Sequence, residues 1–202
     1  MTIVVLVEGD TEVALMEHVR NFLNSQAANV KKTNPKIKSL KIDGANPVTI
    51  GKQIRNSLHM FDVVAVVGLI DVYPKFANAS DAKKWLFESA KSANITQGFY
   101  AHAAQYDVEA WLLPYWDSIC QRIGVKQSIP SPYPENINGD NPPAYRLKAL
   151  YQRAKPARTY IKTKEMPAIL RNKDLLTSIS ACPEFKAFIN TLLSLNQLPT
   201  IS

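Results

Sequence analysis

The chain has 202 residues, 46% of them hydrophobic and 20% charged, enough for one domain with a real core and at most a small appendage. No apolar run approaches the roughly 20 residues that span a bilayer, and the opening MTIVVLVEGD turns acidic too early for a secretory leader. The formal net charge is +7, yet Arg146 to Lys173 alone carries nine cations against Glu165, or +8, leaving −1 for everything else and excluding an evenly basic surface.

Residues 2–7 read as a buried strand, short, β-branched and polar immediately afterwards. From Asp10 the period changes: Leu15, Val19, Phe22 and Leu23 make the stripe of an amphipathic helix, with Asp10 or Thr11 as its expected cap. Lys36 to Asp43 alternates like a half-buried strand, and Pro47 to Met60 suits a helix opening on proline. Asp62 to Ile70 is the expected central strand. Ser80 to Ser92 follows as a helix capped by Ser80 or Asp81, then Gly98 to Ala104 as a strand and Tyr106 to Arg122 as a helix.

Strands alternating with helices indicate a parallel α/β sheet covered on both faces. Lys126 to Pro143 carries five prolines and reads as an ordered loop or a lid. Helices are then expected over about Pro143 to Ala154, Lys164 to Arg171 and Pro183 to Leu195. The division is an α/β core over 1–125 and a loop with a helical C-terminal extension, packed on that core, over 126–202. Cys120 and Cys182 are distant and plainly flanked, which fits reduced thiols and a cytoplasmic location rather than a disulfide framework or a metal knuckle.

Acids stand where two apolar runs stop. Glu8 ends the first strand and Asp71 the strand over Val63–Ile70, and in open α/β sheets ligands gather at the carboxyl ends of the strands. If those strands are neighbours the two carboxylates repel, and either one takes up a proton or a cation intervenes. Hard divalent ions such as Mg²⁺ and Mn²⁺ prefer oxygen ligands, so a metal is one answer; acids that merely favour turns are the other. Glu12, four residues on, either supplies a further ligand across a tight Gly9 turn or interacts with the helix N-terminus. In QYDVEAWLLPYW, a helix puts Glu109 on the face of Leu112, Leu113 and Trp116, inside the protein, where a carboxylate needs an arginine or a metal. Asp107 faces differently, has an alternative task as helix cap, and is held in reserve.

Within the basic segment, Arg146, Lys148, Arg153, Lys155, Arg158 and Lys164 are the candidates for contact with a nucleic-acid backbone, against the alternative of a solvated helical face. By spacing alone Lys162 is one more surface cation. There is no G-x-x-x-x-G-K-[ST], no G-x-G-x-x-G and no G-x-S-x-G, so neither a nucleotide phosphate loop nor a serine hydrolase elbow is encoded.

The strand–Glu–Gly–helix opening, the later strand ending in Asp71 and the DVEAWLL segment together resemble the Toprim domain. This is the α/β metal-binding fold of topoisomerases, bacterial primases and overcoming-lysogenization-defect nucleases. More closely, the order EGDTE, VVGLID, EAWLL, NPPAYRLKALY, YIKTKEMPAIL and CPEFKAFINTLL resembles a Toprim-like bacterial family of unknown function, the domain of unknown function 4276 type. The resemblance implies Glu8 as the Toprim glutamate, Glu12 as the second acid of an E-x-x-x-E variant, Asp71 as the first aspartate of D-x-D, Glu109 as the later acid and Lys162 as a lysine near the scissile phosphate. The chain departs from the pattern at DVY, where Tyr73 replaces the second aspartate and is a poor Mg²⁺ ligand.

The activity so implied is a Mg²⁺- or Mn²⁺-dependent phosphodiester hydrolase, a nuclease on DNA or RNA. Catalytic Glu8, Asp71 and Lys162 and metal ligands Glu8, Glu12, Asp71 and Glu109 would carry it. A role as a phage-defence effector beside a separate ABC- or AAA-type ATPase is implied by the resemblance alone. The alternatives are a non-catalytic module that binds nucleic acid or a partner protein, for which Tyr73 argues, and a nucleotidyl transferase using the same metals.

Overall fold

The computed structural model describes residues 1–42, 46–136 and 141–202. Four strands form one sheet: β1 (Thr2–Val7), β2 (Lys36–Lys41), β3 (Val63–Asp71) and β4 (Phe99–Ala104). Their spatial order is β2-β1-β3-β4 and every pairing is parallel, the α/β arrangement expected from the alternating pattern. Parallel strands buried on both faces need no polar alternation, which is why β1 and β3 read as nearly unbroken apolar runs. Successive side chains still go to opposite faces. Ile3, Val5 and Val7 of β1 join Ala65, Val67 and Leu69 of β3 in one core, while Val4 and Leu6 join Val66 and Ile70 in the other.

The second core is closed by α2 (Pro47–Leu58) and α3 (Ala79–Ser92), through Ile50, Ile54, Ala82 and Leu86. The two helices approach at Gly51, where a Cβ would lie 2.6 Å from the carbonyl oxygen of Ser89. The first core is larger. It takes Leu15, Met16, Val19 and Leu23 from α1 (Asp10–Asn29), a buried 3-10 helix over Val108–Tyr115, and α4 (Trp116–Ile123). It continues without a break into α5 (Pro143–Gln152), α6 (Lys162–Leu170), α7 (Leu176–Ala181) and α8 (Pro183–Leu195). Trp111, stacked on Phe185 at 4.3 Å between ring centres, ties the 3-10 helix to α8. Sheet and C-terminal helices thus share one hydrophobic core.

Several local expectations are corrected. Tyr106 to Arg122 is not one α-helix: Pro114 has no N–H and its ring would collide with the carbonyl four residues back, so Val108–Tyr115 winds as a 3-10 helix before α4 begins. Neither Asp10 nor Thr11 caps α1; the capping position is Gly9, without a side-chain bond. Gly9 is extended (φ −150°) rather than tightly turned, and a Cβ there would lie 3.2 Å from Glu12 Oε2, so the glycine supplies clearance for that carboxylate. The cap of α3 is Asn78, whose side-chain oxygen accepts from the Asp81 N–H at 3.0 Å, ahead of the expected Ser80 start. The short helix α7 went unread. Asp43, the expected end of the second strand, and residues 137–140 of the proline-rich loop lie outside the described residues. Among the described residues no helix is long and apolar enough to cross a membrane.

Candidate metal and phosphate site

Because β1 and β3 are neighbours in register, their carboxyl ends open onto the same edge, and the acids that close them meet. Glu8 follows β1 directly and Asp71 is the last residue of β3. The Asp71 N–H donates to Glu8 Oε2 at 2.9 Å. Asp71 Oδ1 in turn accepts from the Val108 N–H at 3.1 Å, which brings the start of the 3-10 helix to the sheet edge. There Asp107 Oδ2 accepts from the Ala144 N–H of α5 at 3.2 Å, and fully buried Glu109 faces Lys162, the first residue of α6. Lys162 Nζ donates to Glu109 Oε2 at 3.1 Å and lies 3.0 Å from Oε1. Glu12, buried on the first turn of α1, completes the group.

The five carboxylates feel one another. Burial first, then the charges of Glu12, Asp107, Glu109 and Glu8, drive the Asp71 carboxyl well above the usual aspartate range, although Asp71 as a residue keeps partial contact with water, which moderates the rise. Burial and the Glu109 charge push Asp107 up to about 7, and burial with Glu109 and Glu8 raises Glu12. Burial alone would lower Lys162, but attraction to Glu109, the hydrogen bond between them, and then Asp107 and Asp71 raise it instead. A cluster of acids that cannot all ionise comfortably is a cluster short of positive charge. Two of its oxygens, Asp107 Oδ1 and Glu109 Oε1, are buried without a hydrogen-bond partner, the second meeting the Lys162 ammonium only as a charge. An all-oxygen donor set with free lone pairs fits a hard divalent cation. As the side chains stand, no three His, Cys, Asp or Glu among the described residues are drawn tightly around one point.

The structure therefore brings together Glu8, Glu12, Asp71, Glu109 and Lys162, and adds Asp107. An α-helix would turn Asp107 and Glu109 to different sides, the ground for holding Asp107 in reserve; instead Asp107 is the extended residue just before the 3-10 helix, makes no side-chain capping bond, and its carboxyl feels the charge of Glu109. Lys162 is not a surface cation of a helical face but the partner of the buried Glu109. Two residues went unread. Lys75 donates to Glu8 Oε1 at 2.9 Å, and nothing in an exposed lysine after YP marks it. The hydroxyl of buried Tyr160 has no partner and is influenced by Glu109 and Asp107. His102, by contrast, bonds Thr191 at 3.0 Å and packs on Phe188, away from the acids.

The candidate backbone-contacting cations do not share one helical face. Arg146 and Lys148 lie on α5, Lys164 on α6, and Lys155 is exposed in the stretch between those helices. Arg153 donates to Gln127 Oε1 at 2.6 Å and Arg158 to the carbonyl of Arg122 at 3.4 Å, so these two are partly engaged within the fold. Tyr73, where the second aspartate of D-x-D was absent, is 39% exposed and meets Tyr145 edge-on at 6.3 Å.

A solved structure shares the fold. The C-terminal region of the Burkholderia pseudomallei OLD protein aligns over 96% of this chain and 97% of its own, with a TM-score of 0.54 and 15% identity. The corresponding region of the Xanthomonas campestris pv. campestris OLD protein aligns over the same shares with a TM-score of 0.43 and 14% identity. At such identities the likeness is one of fold, here the Toprim type. No protein of curated function matches. A family model covers residues 7–193, from the end of β1 to within α8 and therefore across every acid of the cluster: the chain belongs to the family described as domain of unknown function DUF4276.

Proposed function

We propose that the protein is a divalent-metal-dependent phosphodiester hydrolase acting on nucleic acid. The observation that carries the reading is the convergence of Glu8, Glu12, Asp71, Asp107 and Glu109, with Lys162 inserted among them, at the carboxyl edge of a Toprim-type sheet. Mg²⁺ or Mn²⁺ held there would draw electron density from the phosphate being cut. Glu8 and Asp71 would offer carboxylates from the ends of β1 and β3, and Asp107 Oδ1 and Glu109 Oε1, which have no hydrogen-bond partner, would offer lone pairs from the start of the 3-10 segment. Lys162 neutralises Glu109 and keeps its remaining N–H donors for a phosphoryl oxygen on which charge grows. The cations on α5, on α6 and between them would hold the flanking backbone. An association with a separate ATPase, and a part in defence against phage, belong to the same proposal and rest on the resemblance of the sequence motifs alone.

The test is cleavage of labelled single- and double-stranded DNA and RNA in Mn²⁺ or Mg²⁺ against EDTA. Products only with the metal are expected. A non-catalytic binding module is the second reading, favoured by Tyr73 in the D-x-D motif and by Lys75 already neutralising Glu8. It gives salt-sensitive retention, indifference to EDTA and no product with any of the four substrates. Labelled nucleotide incorporation on a template would instead mark a nucleotidyl transferase.

Metal binding has a signature independent of turnover. Asp71, Asp107 and Glu12 have raised carboxyl pKa values in the folded protein. Their stabilising contribution is present in full below the unfolded values near about 4 and is lost as pH rises through the folded ones, about 7 for Asp107. A cation that binds only the folded, ionised cluster offsets this loss. Thermal melts should show Mn²⁺ at 100 times its Kd raising Tm by about 5–10 °C at pH 7.5, with a much smaller effect at pH 5. Equal shifts at both pH values, or none, would count against the site.

A further inference from the structure

Tyr73 stands two residues beyond Asp71, at the position where the metal-binding pattern loses its second carboxylate. Its backbone is fixed, because the Tyr73 N–H donates to the carbonyl of Tyr106 at 2.7 Å, next to Asp107. The residue is 39% exposed, and its ring makes a T-shaped contact, at 89° and 6.3 Å between centres, with that of Tyr145, itself 49% exposed. Tyr145 follows Ala144, whose N–H is bonded to Asp107, so one aromatic residue adjoins a backbone group engaged with the acid cluster and the other is bonded to the residue before Asp107. Lys148, one turn along α5, places its ammonium 5.2 Å from the centre of the Tyr145 ring. The fold thus carries, two residues beyond Asp71, a partly exposed aromatic residue in contact with a second ring that has a cation over it.

An exposed tyrosine does little for stability where it stands, and a packing role would have hidden it. An edge-on neighbour restrains the Tyr73 ring without covering its whole surface. A partly exposed aromatic side chain near a cation suits an unpaired base and its flanking phosphate, and stacking of this kind is tolerant of sequence because every base has a π-face. A base inside a duplex is already stacked on both sides and cannot take the position without being unstacked.

We propose that Tyr73, held by Tyr145, is a stacking platform for one unpaired nucleobase beside Asp71, so that the strand presented to the acid cluster is single-stranded. The inference rests on the reading of the cluster as a nucleic-acid site and specifies its substrate class. Tyr73 acts by positioning and is assigned no chemistry.

The experiment is fluorescence anisotropy in EDTA at fixed salt, with the full chain and labelled DNA and RNA oligonucleotides of one length, single-stranded or duplex. The unmodified chain should bind single strands more tightly than duplex. Tyr73→Ala should weaken single-strand binding about tenfold and leave duplex binding unchanged, while Tyr73→Phe retains the preference. Since Tyr73 is exposed, a melt identical to that of the unmodified chain will certify folding. Unchanged single-strand affinity in Tyr73→Ala, equal losses on both substrates, or no single-strand binding by the unmodified chain would each overturn the platform. The two proposals fail separately: Tyr73-dependent binding without metal-stimulated products sinks the hydrolase, and metal-stimulated products with a binding preference indifferent to Tyr73 sink the platform.

Discussion

Glu8→Gln and Asp71→Asn are each expected to lower Mn²⁺-dependent cleavage by at least about 100-fold, the scale of removing one group that stabilises a transition state. Both changes are nearly isosteric and can preserve the acceptor oxygens that matter to the fold. In Glu8→Gln the new amide oxygen can still accept from the Asp71 N–H, and in Asp71→Asn it can still accept from the Val108 N–H. What disappears is the capacity to carry a negative charge among neighbouring acids. Burial and the charges of those acids hold the Asp71 carboxyl well above the usual aspartate range, so its ionisation works against folding. Asp71→Asn should therefore melt no lower than the unmodified chain in EDTA, while losing most of the Mn²⁺-induced rise in Tm. This pairing of outcomes separates a metal ligand from a structural acid, whose loss would lower the melt and spare the metal response. Cleavage at the unmodified rate by either purified variant would remove that residue from the site.

The parts of this site that are legible in the sequence are those whose physical cause is local. Glu8 and Asp71 stand out because a parallel strand buried on both faces is a continuous apolar run, and an acid at its end breaks the run abruptly. That the two acids face one another is not local: it depends on β1 pairing with β3 rather than with β4, which no property of either strand dictates. Glu109 is legible as an acid among apolar neighbours, but its exact surroundings are not, because the expected α-helix puts only one face inside. The 3-10 helix over Val108–Tyr115 is apolar and buried nearly all round, and Asp107 joins Glu109 because it stands before that helix in extended backbone rather than on a helical face. Pro114 is the available signal for that departure. Lys75 and Tyr160 give no such signal. One is an exposed lysine after a turn and the other an ordinary core aromatic, and both acquire meaning only from what the folded chain sets beside them.

Lys162→Met should be the most damaging single change at the site, because it affects both the chemistry and the fold. Glu109 is fully buried, and its neighbours Glu12, Asp71 and Asp107 are all acids; without the ammonium at 3.0 Å it is a buried charge with no partner. Breaking a wholly buried pair in this way typically costs about 3–5 kcal/mol. The Lys162 side chain is 37% exposed, so water screens part of the attraction, and a loss of about 2 kcal/mol is the better expectation. For a chain of this length that is a fall in Tm of about 4–8 °C. Adding Glu109→Gln removes the stranded charge and should restore most of that loss, since the amide is neutral without having to take up a proton. Cleavage should not return with it, because the donor aimed at the phosphate is still missing. A double-mutant cycle reads the two roles apart. Equal melts for Lys162→Met and the double variant would mean that an unpartnered Glu109 carries no penalty, and a Lys162→Met melt equal to that of the unmodified chain would mean the pair contributes nothing to stability. Cleavage restored in the double variant would mean that Lys162 serves only to neutralise Glu109.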